Sequence, residues 1–247
     1  MKMQPAAPSA APCHALLPCA GSGSRAGQGI AKQYQRIAGE PLVRHALRAF
    51  QAVPRIGRIL VVLAPSDDHP WPSPLPPRVE LARVGGATRA ASVLNGLNHL
   101  LAHGARPPDW VLVHDAARCL VTPALIDALI DACCRGTLDD RDGGLLALPC
   151  SDTLKMEAEH SPGRVAATLP RGGKWLAQTP QMFRLGALRD ALQEQAANGF
   201  AGITDEASAM ERAGCRPLLV RGSAQNFKVT WAEDFALAEA VLQSRRA

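Results

Sequence analysis

A chain of 247 residues, 47% of them hydrophobic, has room for one large core and little else. Its formal net charge of +5 suits an anionic partner, but Lys and Arg are scattered and aromatics make up only 4%, which argues against a nucleic-acid partner. Seven cysteines without a C-x-x-C pair exclude an obvious zinc or disulfide framework and point to a reducing cytoplasm, and no apolar run reaches the length of a membrane span.

Residues 1–12, rich in Ala and Pro and lacking the apolar stretch of a signal peptide, read as a disordered tail, and 13–247 as a single domain. His14–Ala20 is a buried strand stopped by Gly21. Leu42, Val43, Ala46, Leu47 and Phe50 repeat at helical spacing, so Pro41–Val53 is a helix. Arg58–Ala64 is a second strand, Pro65–Pro77 a loop and Val79–Val84 a third strand. Thr88–His103 is a helix with Val93, Leu94, Leu97, Leu100 and Leu101 along one side. Strand Trp110–His114 follows, then helix Pro123–Cys134, with Thr122 as N-cap and Pro123 at its first position, then strand Gly144–Leu148.

Residues 151–181 break this pattern. The alternation in Arg164–Leu169 predicts a strand pair projecting from the body, and an exposed pair needs a partner, either its own chain or a second subunit. Helices Gly186–Ala197 and Asp205–Ala213, strand Pro217–Arg221, a short strand Asn226–Thr230 and helix Ala232–Gln243 complete the chain. Strands alternating with helices give an α/β fold, a mostly parallel sheet with helices on both faces. Ligands bind such folds at the carboxyl ends of the strands. Two of those ends here are polar, Gly21–Arg25 and His114–Arg118.

Gly21-x-Gly23-x-x-Ala26 matches the loose dinucleotide fingerprint, but Gly27 and Gly29 keep a helix from starting at Gly23. Glu40 lies at about the distance of the ribose-binding acid, yet it opens a helix rather than ending a strand. A P-loop is excluded, since Gly173-Lys174 is followed by Trp175. Two readings stay open. One is a nest of backbone amides with Ser22, Ser24, Arg25 and Lys32 around a triphosphate; the other is a solvated turn.

Eight short motifs occur in order: A-G-S-G-S-R, A-K-Q-Y, G-G-x-x-R-x-x-S-V, V-H-D-A-A-R, S-D-T-L-K, T-P-Q-M-F, T-D-E-A-S and N-F-K-V-T. In this register the chain resembles the 2-C-methyl-D-erythritol 4-phosphate cytidylyltransferase family from about Leu16 to Leu242. The resemblance implies a Rossmann-like nucleotidyltransferase fold and a homodimer. It implies transfer of CMP from CTP to a sugar-alcohol phosphate in non-mevalonate isoprenoid biosynthesis, with pyrophosphate released and a divalent metal, Mg²⁺, as cofactor.

By resemblance, Arg25 and Lys32 are the catalytic cations on the triphosphate, and Ala20, Gly21, Ser22, Gly23 and Ser24 wrap the nucleotide. Gly85, Gly86 and Ser92 meet the cytosine and its surroundings. Asp115 and Arg118 lie at the reaction centre, Thr153 and Arg171 come from the second subunit's arm (residues 151–176), and Thr179, Thr204 and Lys228 complete the acceptor pocket. Ala31, Cys119 and Ala87 depart from the family pattern, and no role is carried to Ala87.

Two anions must be brought together, so positioning and charge stabilisation dominate such chemistry. Arg25 can fork across two phosphate oxygens, and Lys32 acts as a point charge. A carboxylate beside phosphates needs an intervening cation, which makes Asp115 a candidate Mg²⁺ ligand, although the triphosphate can also hold the ion itself. Thr204 doubles as a helix N-cap, and His114 reads as a packed strand-end histidine rather than a base. A ribitol or glycerol phosphate cytidylyltransferase, a noncatalytic nucleotide-binding subunit and a nicotinamide oxidoreductase are the competing readings.

Overall fold

The unbroken apolar runs become the middle of a seven-stranded sheet in the computed structural model, which describes residues 11–21, 30–135 and 142–245. The strands in chain order are β1 (Cys13–Pro18), β2 (Arg36–Ile37), β3 (Glu40–Pro41), β4 (Ile56–Val62), β5 (Val79–Ala82), β6 (Trp110–Val113), β7 (Gly144–Pro149), β8 (Leu154–Ala158), β9 (Ser161–Leu169), β10 (Trp175–Arg184) and β11 (Leu218–Arg221). The helices are α1 (Leu42–Gln51), α2 (Arg89–Ala102), α3 (Pro123–Cys134), α4 (Leu185–Ala196), α5 (Glu206–Arg212) and α6 (Ala232–Ser244).

The main sheet runs β11-β7-β10-β6-β1-β4-β5, and only β10 is antiparallel to its neighbours. Strands buried on both faces explain why β1, β4 and β6 carry no polar alternation. On one face, Val43, Leu47 and Phe50 of α1 pack with Ile126, Leu129 and Ile130 of α3. On the other, Val93 and Leu97 of α2 pack with Leu188 and Leu192 of α4 and Met210 of α5. The expected mostly parallel α/β sheet with helices on both faces is therefore present. The Thr122 hydroxyl caps α3 at Leu125 N, as read from the sequence.

β10 is the element the sequence did not announce. It occupies a central position yet contains Pro180, which has no N–H for a ladder. The register between β10 and β7 shifts between Ala177 and Gln181, so Pro180 falls in a bulge where no ladder bond is required. Its polar side chains are matched internally: the Gln181 amide donates to Asp205 and accepts from Ala207 N, and Gln178 donates to the Ser223 carbonyl. The order of strands also places a topological switch at β1. The chain leaves β1 toward β4 and β5 on one side, then returns to β6 on the other. The carboxyl ends of β1 and β6 thus lie side by side.

The strand pair of residues 151–176 projects as expected. β8 and β9 form their own two-stranded sheet, and most of their residues are exposed. The Asn226–Thr230 segment, by contrast, is not a strand. It is an extended loop pinned by its buried residues: Asn226 donates to the Thr179 carbonyl at 2.9 Å, and Val229 N donates to the Ala117 carbonyl at 2.9 Å.

Candidate active site

The two polar strand ends meet in one open cavity of about 480 Å³. Its wall includes Ala20 and Gly21 after β1, Gly86 and Arg89 after β5, Asp115 after β6, Lys32 at the start of a 3-10 turn, and Lys228 from a loop. Gly85 and Gly86 are glycines for steric reasons. A Cβ on Gly85 would lie 2.3 Å from the Ala20 Cβ and 2.7 Å from the Leu63 carbonyl oxygen, and one on Gly86 would lie 2.5 Å from the Ala91 Cβ. These contacts let the β5–α2 turn press against the end of β1. Ser92 holds the turn: its buried hydroxyl accepts from Gly86 N at 3.0 Å and donates to the Thr88 carbonyl at 2.9 Å.

Asp115 is the electrostatic centre. Arg89 Nε donates to its Oδ1 at 2.8 Å, and Lys228 Nζ lies 2.7 Å from its Oδ2. The same guanidinium grips the buried Glu206 with two bonds, at 2.7 and 3.1 Å. Burial would raise the Asp115 carboxyl, but Arg89 and Lys228 outweigh it and hold the group far below the ordinary carboxylate range. Glu206 goes the other way, raised by burial and by Asp115 and Asp205 nearby, against the pull of Arg89.

Beneath Asp115 lies a directed chain of hydrogen bonds. Asp115 N–H donates to Thr179 Oγ1 at 3.0 Å, and Thr179 Oγ1 is 3.0 Å from His114 Nδ1. His114 Nε2 lies 3.1 Å from the Arg118 carbonyl, which can only accept, so the proton sits on Nε2 and the threonine hydroxyl donates to Nδ1. The ring is neutral and fully buried, with burial lowering its pKa to about 4. His114 is thus a packed strand-end histidine. Thr179 stands behind Asp115 and orients it, rather than lining the cavity.

The remaining expectations divide. Lys32 lines the cavity and donates to the Val229 carbonyl at 2.8 Å, which ties its loop to that of Lys228. Arg118 turns away from the opening, donating to the Asn226 carbonyl at 2.7 Å and the Ala177 carbonyl at 3.1 Å. Thr204 is exposed and is not the N-cap of α5; Asp205 is, accepting from Ser208 N at 2.9 Å. Thr153 and Arg171 sit where the arm joins the body, both exposed, and Arg171 donates to the Ser151 carbonyl. Neither lines the cavity of its own chain. Ser22, Gly23, Ser24 and Arg25 lie outside the described residues.

Arg89 and Glu206 went unassigned in the sequence. Arg89 is the Arg of G-G-x-x-R, whereas Glu206 looks like an ordinary first-turn acid. Lys228, expected only in the acceptor pocket, also neutralises Asp115 within the chain. Glu40, the acid of the dinucleotide alternative, pairs with Arg48 and belongs to the small β2–β3 ribbon, far in topology from a ribose site.

An open α/β sheet whose switch point carries a cation-rich cleft, bordered by a glycine turn and an aspartate, suits a phosphorylated ligand, and a family match makes its class a nucleotidyltransferase. The model of the 2-C-methyl-D-erythritol 4-phosphate cytidylyltransferase (IspD) family matches residues 13–244, and the chain belongs to that family. A bifunctional IspD/IspF enzyme of Albidiferax ferrireducens is 62% identical over 94% of this chain, which spans about half (53%) of that relative's length. The 2-C-methyl-D-erythritol 4-phosphate cytidylyltransferase of Cupriavidus pinatubonensis is 54% identical over 92% of this chain and 93% of its own. Among solved structures, a 4-diphosphocytidyl-2C-methyl-D-erythritol synthase aligns with a TM-score of 0.78 at 36% identity, covering 94% and 99% of the two chains. The Francisella tularensis cytidylyltransferase of the same name as the family aligns with a TM-score of 0.75 at 32% identity, covering 93% and 99%.

Proposed function

We infer that the chain transfers CMP from CTP to 2-C-methyl-D-erythritol 4-phosphate, giving 4-diphosphocytidyl-2-C-methyl-D-erythritol and pyrophosphate. The observation that carries this reading is Asp115 held between Arg89 and Lys228 at the switch point, beside Lys32. An acceptor phosphate oxygen attacks the α-phosphorus; the bond to the bridging oxygen of the β-phosphate breaks, and pyrophosphate leaves. No general base is needed, because a phosphomonoester is already ionised near neutral pH. Lys32 and Arg25 stabilise charge on the triphosphate, and Gly86, which lines the cavity, borders the nucleotide. Lys228 supplies a cation for the acceptor phosphate, with Asp115 fixing the ammonium.

Asp115 does not fit the part of a direct Mg²⁺ ligand. Both its oxygens already face cations, and a metal ion there would meet Arg89 and Lys228. The proposed Mg²⁺ is therefore one carried by the triphosphate, since Mg²⁺ binds readily to substrate phosphates while keeping waters.

The homodimer is supported by the arm. Met156, Val165 and Leu176 are large apolar side chains exposed on or beside it, and an uncovered strand pair is marginal alone. In this reading Arg171 and Thr153 complete a neighbouring chain's acceptor pocket. Among the described residues no helix is long and apolar enough to cross a membrane, and all seven cysteines are free, which supports the cytoplasm as the compartment.

Pyrophosphate release from CTP, measured with methylerythritol, ribitol and glycerol phosphates in turn, tests the reading. Turnover is expected with the first. Turnover with ribitol or glycerol phosphate alone sinks the substrate assignment, and none with any acceptor sinks the enzyme assignment.

A further inference from the structure

The first turn of α2 serves the active site, whereas its last turn carries a cluster that the reaction does not use. His99 lies in the last turn and His103 is the C-cap that follows it, and their rings stack with centroids 4.0 Å apart. Glu80 faces them from edge strand β5, and its carboxylate Oε1 accepts from His99 Nε2 at 2.6 Å, a proton that a bound ion would displace to solvent. One ligand atom from each of the three residues lies within 4.8 Å of the other two.

The surrounding bonds prepare these groups. His103 Nδ1 lies 2.8 Å from the His99 carbonyl. A carbonyl only accepts, so Nδ1 carries the proton and Nε2 keeps its lone pair, the arrangement usual in a metal-bound imidazole. Arg58 binds the other oxygen of Glu80 at 2.6 Å and donates to the His103 carbonyl at 2.9 Å. Burial pushes the Glu80 carboxyl up, but Arg58 and His99 reverse this and keep it ionised. Arg58 thus orients the carboxylate from behind and leaves Oε1 toward the histidines. Glu80 and His99 are half-buried and His103 is exposed, which gives an ion a path in.

We propose that Glu80, His99 and His103 form a binding site for a divalent transition metal of the zinc class, with water completing the coordination. Two imidazoles and one carboxylate suit such an ion better than Mg²⁺, which prefers oxygen. Zinc bonds of about 2.0–2.2 Å place neighbouring ligand atoms roughly 3.3 Å apart, so a rotation of the exposed His103 and a small shift of Glu80 close the site. A plain Glu80–His99 hydrogen bond tying helix to strand would need neither His103 nor its tautomer. The site is separate from the active-site cavity: His99 is ten residues beyond Arg89, about 15 Å along the helix axis. Its ligands nevertheless bracket the β5–α2 turn, so a bound ion would staple together the far ends of the segment that carries Gly85 and Gly86.

The test is calorimetric titration of the tag-free chain with zinc chloride, with Co²⁺ absorption as a second reading of the ligand field. One equivalent is expected to bind, weakened by at least about 10–100-fold in His103→Gln, His99→Gln and Glu80→Gln, as large as the loss of an outer-shell partner elsewhere. Zinc should raise the melting midpoint of the wild type and not of His103→Gln. Because His103 is exposed, that variant stays folded and keeps its CMP-transfer activity. Absence of uptake by the wild type overturns the proposal. So does unchanged affinity in His103→Gln and Glu80→Gln, or uptake that disappears instead with Cys134→Ser, which removes the exposed free thiol at the end of α3.

Discussion

Lys228 and Arg171 are both cations proposed for the same acceptor phosphate, and the chain treats them in opposite ways. Lys228 sits between two buried anchors, Asn226 and Val229, and its ammonium lies 2.7 Å from a carboxylate that Arg89 also holds. Arg171 is exposed at the root of the arm and meets a carbonyl of its own arm. Under the proposed function, the Lys228 half of the anion site is held in place by a charge network within the chain. The Arg171 half is exposed and faces outward, where the proposed dimer would bring it to a neighbouring chain.

The sharpest way to break this contrast is to remove the centre of the network. Arg89→Met leaves Asp115 and Glu206 without their shared guanidinium, and removing one partner of a buried pair costs about 3–5 kcal/mol. Denaturant unfolding should show this loss, together with loss of activity. The sign with pH is fixed by the carboxyls. The depressed Asp115 contributes stability above its unfolded value of about 3.9 and loses it only as pH falls through the folded value. Wild type and Asp115→Asn should therefore differ most at neutral pH and converge in acid. An unfolding midpoint for Arg89→Met equal to wild type would mean that the network is not needed for the fold.

Lys32→Ala should leave the fold intact and lower kcat by about a hundredfold to a thousandfold, or about 3–4 kcal/mol, as expected for a lost charge-stabilising donor. Wild-type turnover would remove Lys32 from the triphosphate.

The outward half predicts a different signature. Arg171→Ala should not change stability by more than about 0.5 kcal/mol. It should raise KM for the acceptor far more than KM for CTP, by about 1.5–3 kcal/mol, the size of a charge-assisted contact. Mixing inactive Lys32→Ala and Arg171→Ala chains should restore activity through one intact hybrid site. No recovery, with subunit exchange shown independently, would place both residues in one chain's site.

The smallest effect concerns Thr204. Asp205→Ala should cost about 1 kcal/mol as a lost N-cap, while Thr204→Ala should cost much less. Equal thermal shifts in the two variants would contradict the cap observed at Asp205.

Most of the sheet could be read from the sequence because parallel strands buried on both faces leave long apolar runs, as at Ile59–Leu63. β10 could not, because Gln178, Thr179, Pro180 and Gln181 look like a loop until a bulge and their hydrogen bonds are in place. Asp115 and Lys228 were found through motifs. Their coupling was not, since Arg89, Asp115 and Glu206 come from three distant segments and each has an ordinary local explanation. Local patterns mark strand ends, but they do not reveal which charges those ends bring together.

β10 has a mechanical consequence. Its first residues, Trp175–Ala177, pair with β7 at the root of the arm, and two residues later Thr179 supports the backbone of Asp115. In a dimer, the arm's tilt and the chain's own aspartate would thus be set by one short stretch of backbone. A displacement of the arm by a neighbouring substrate would load the same strand that steadies Asp115, giving the two reaction centres a rigid mount in common.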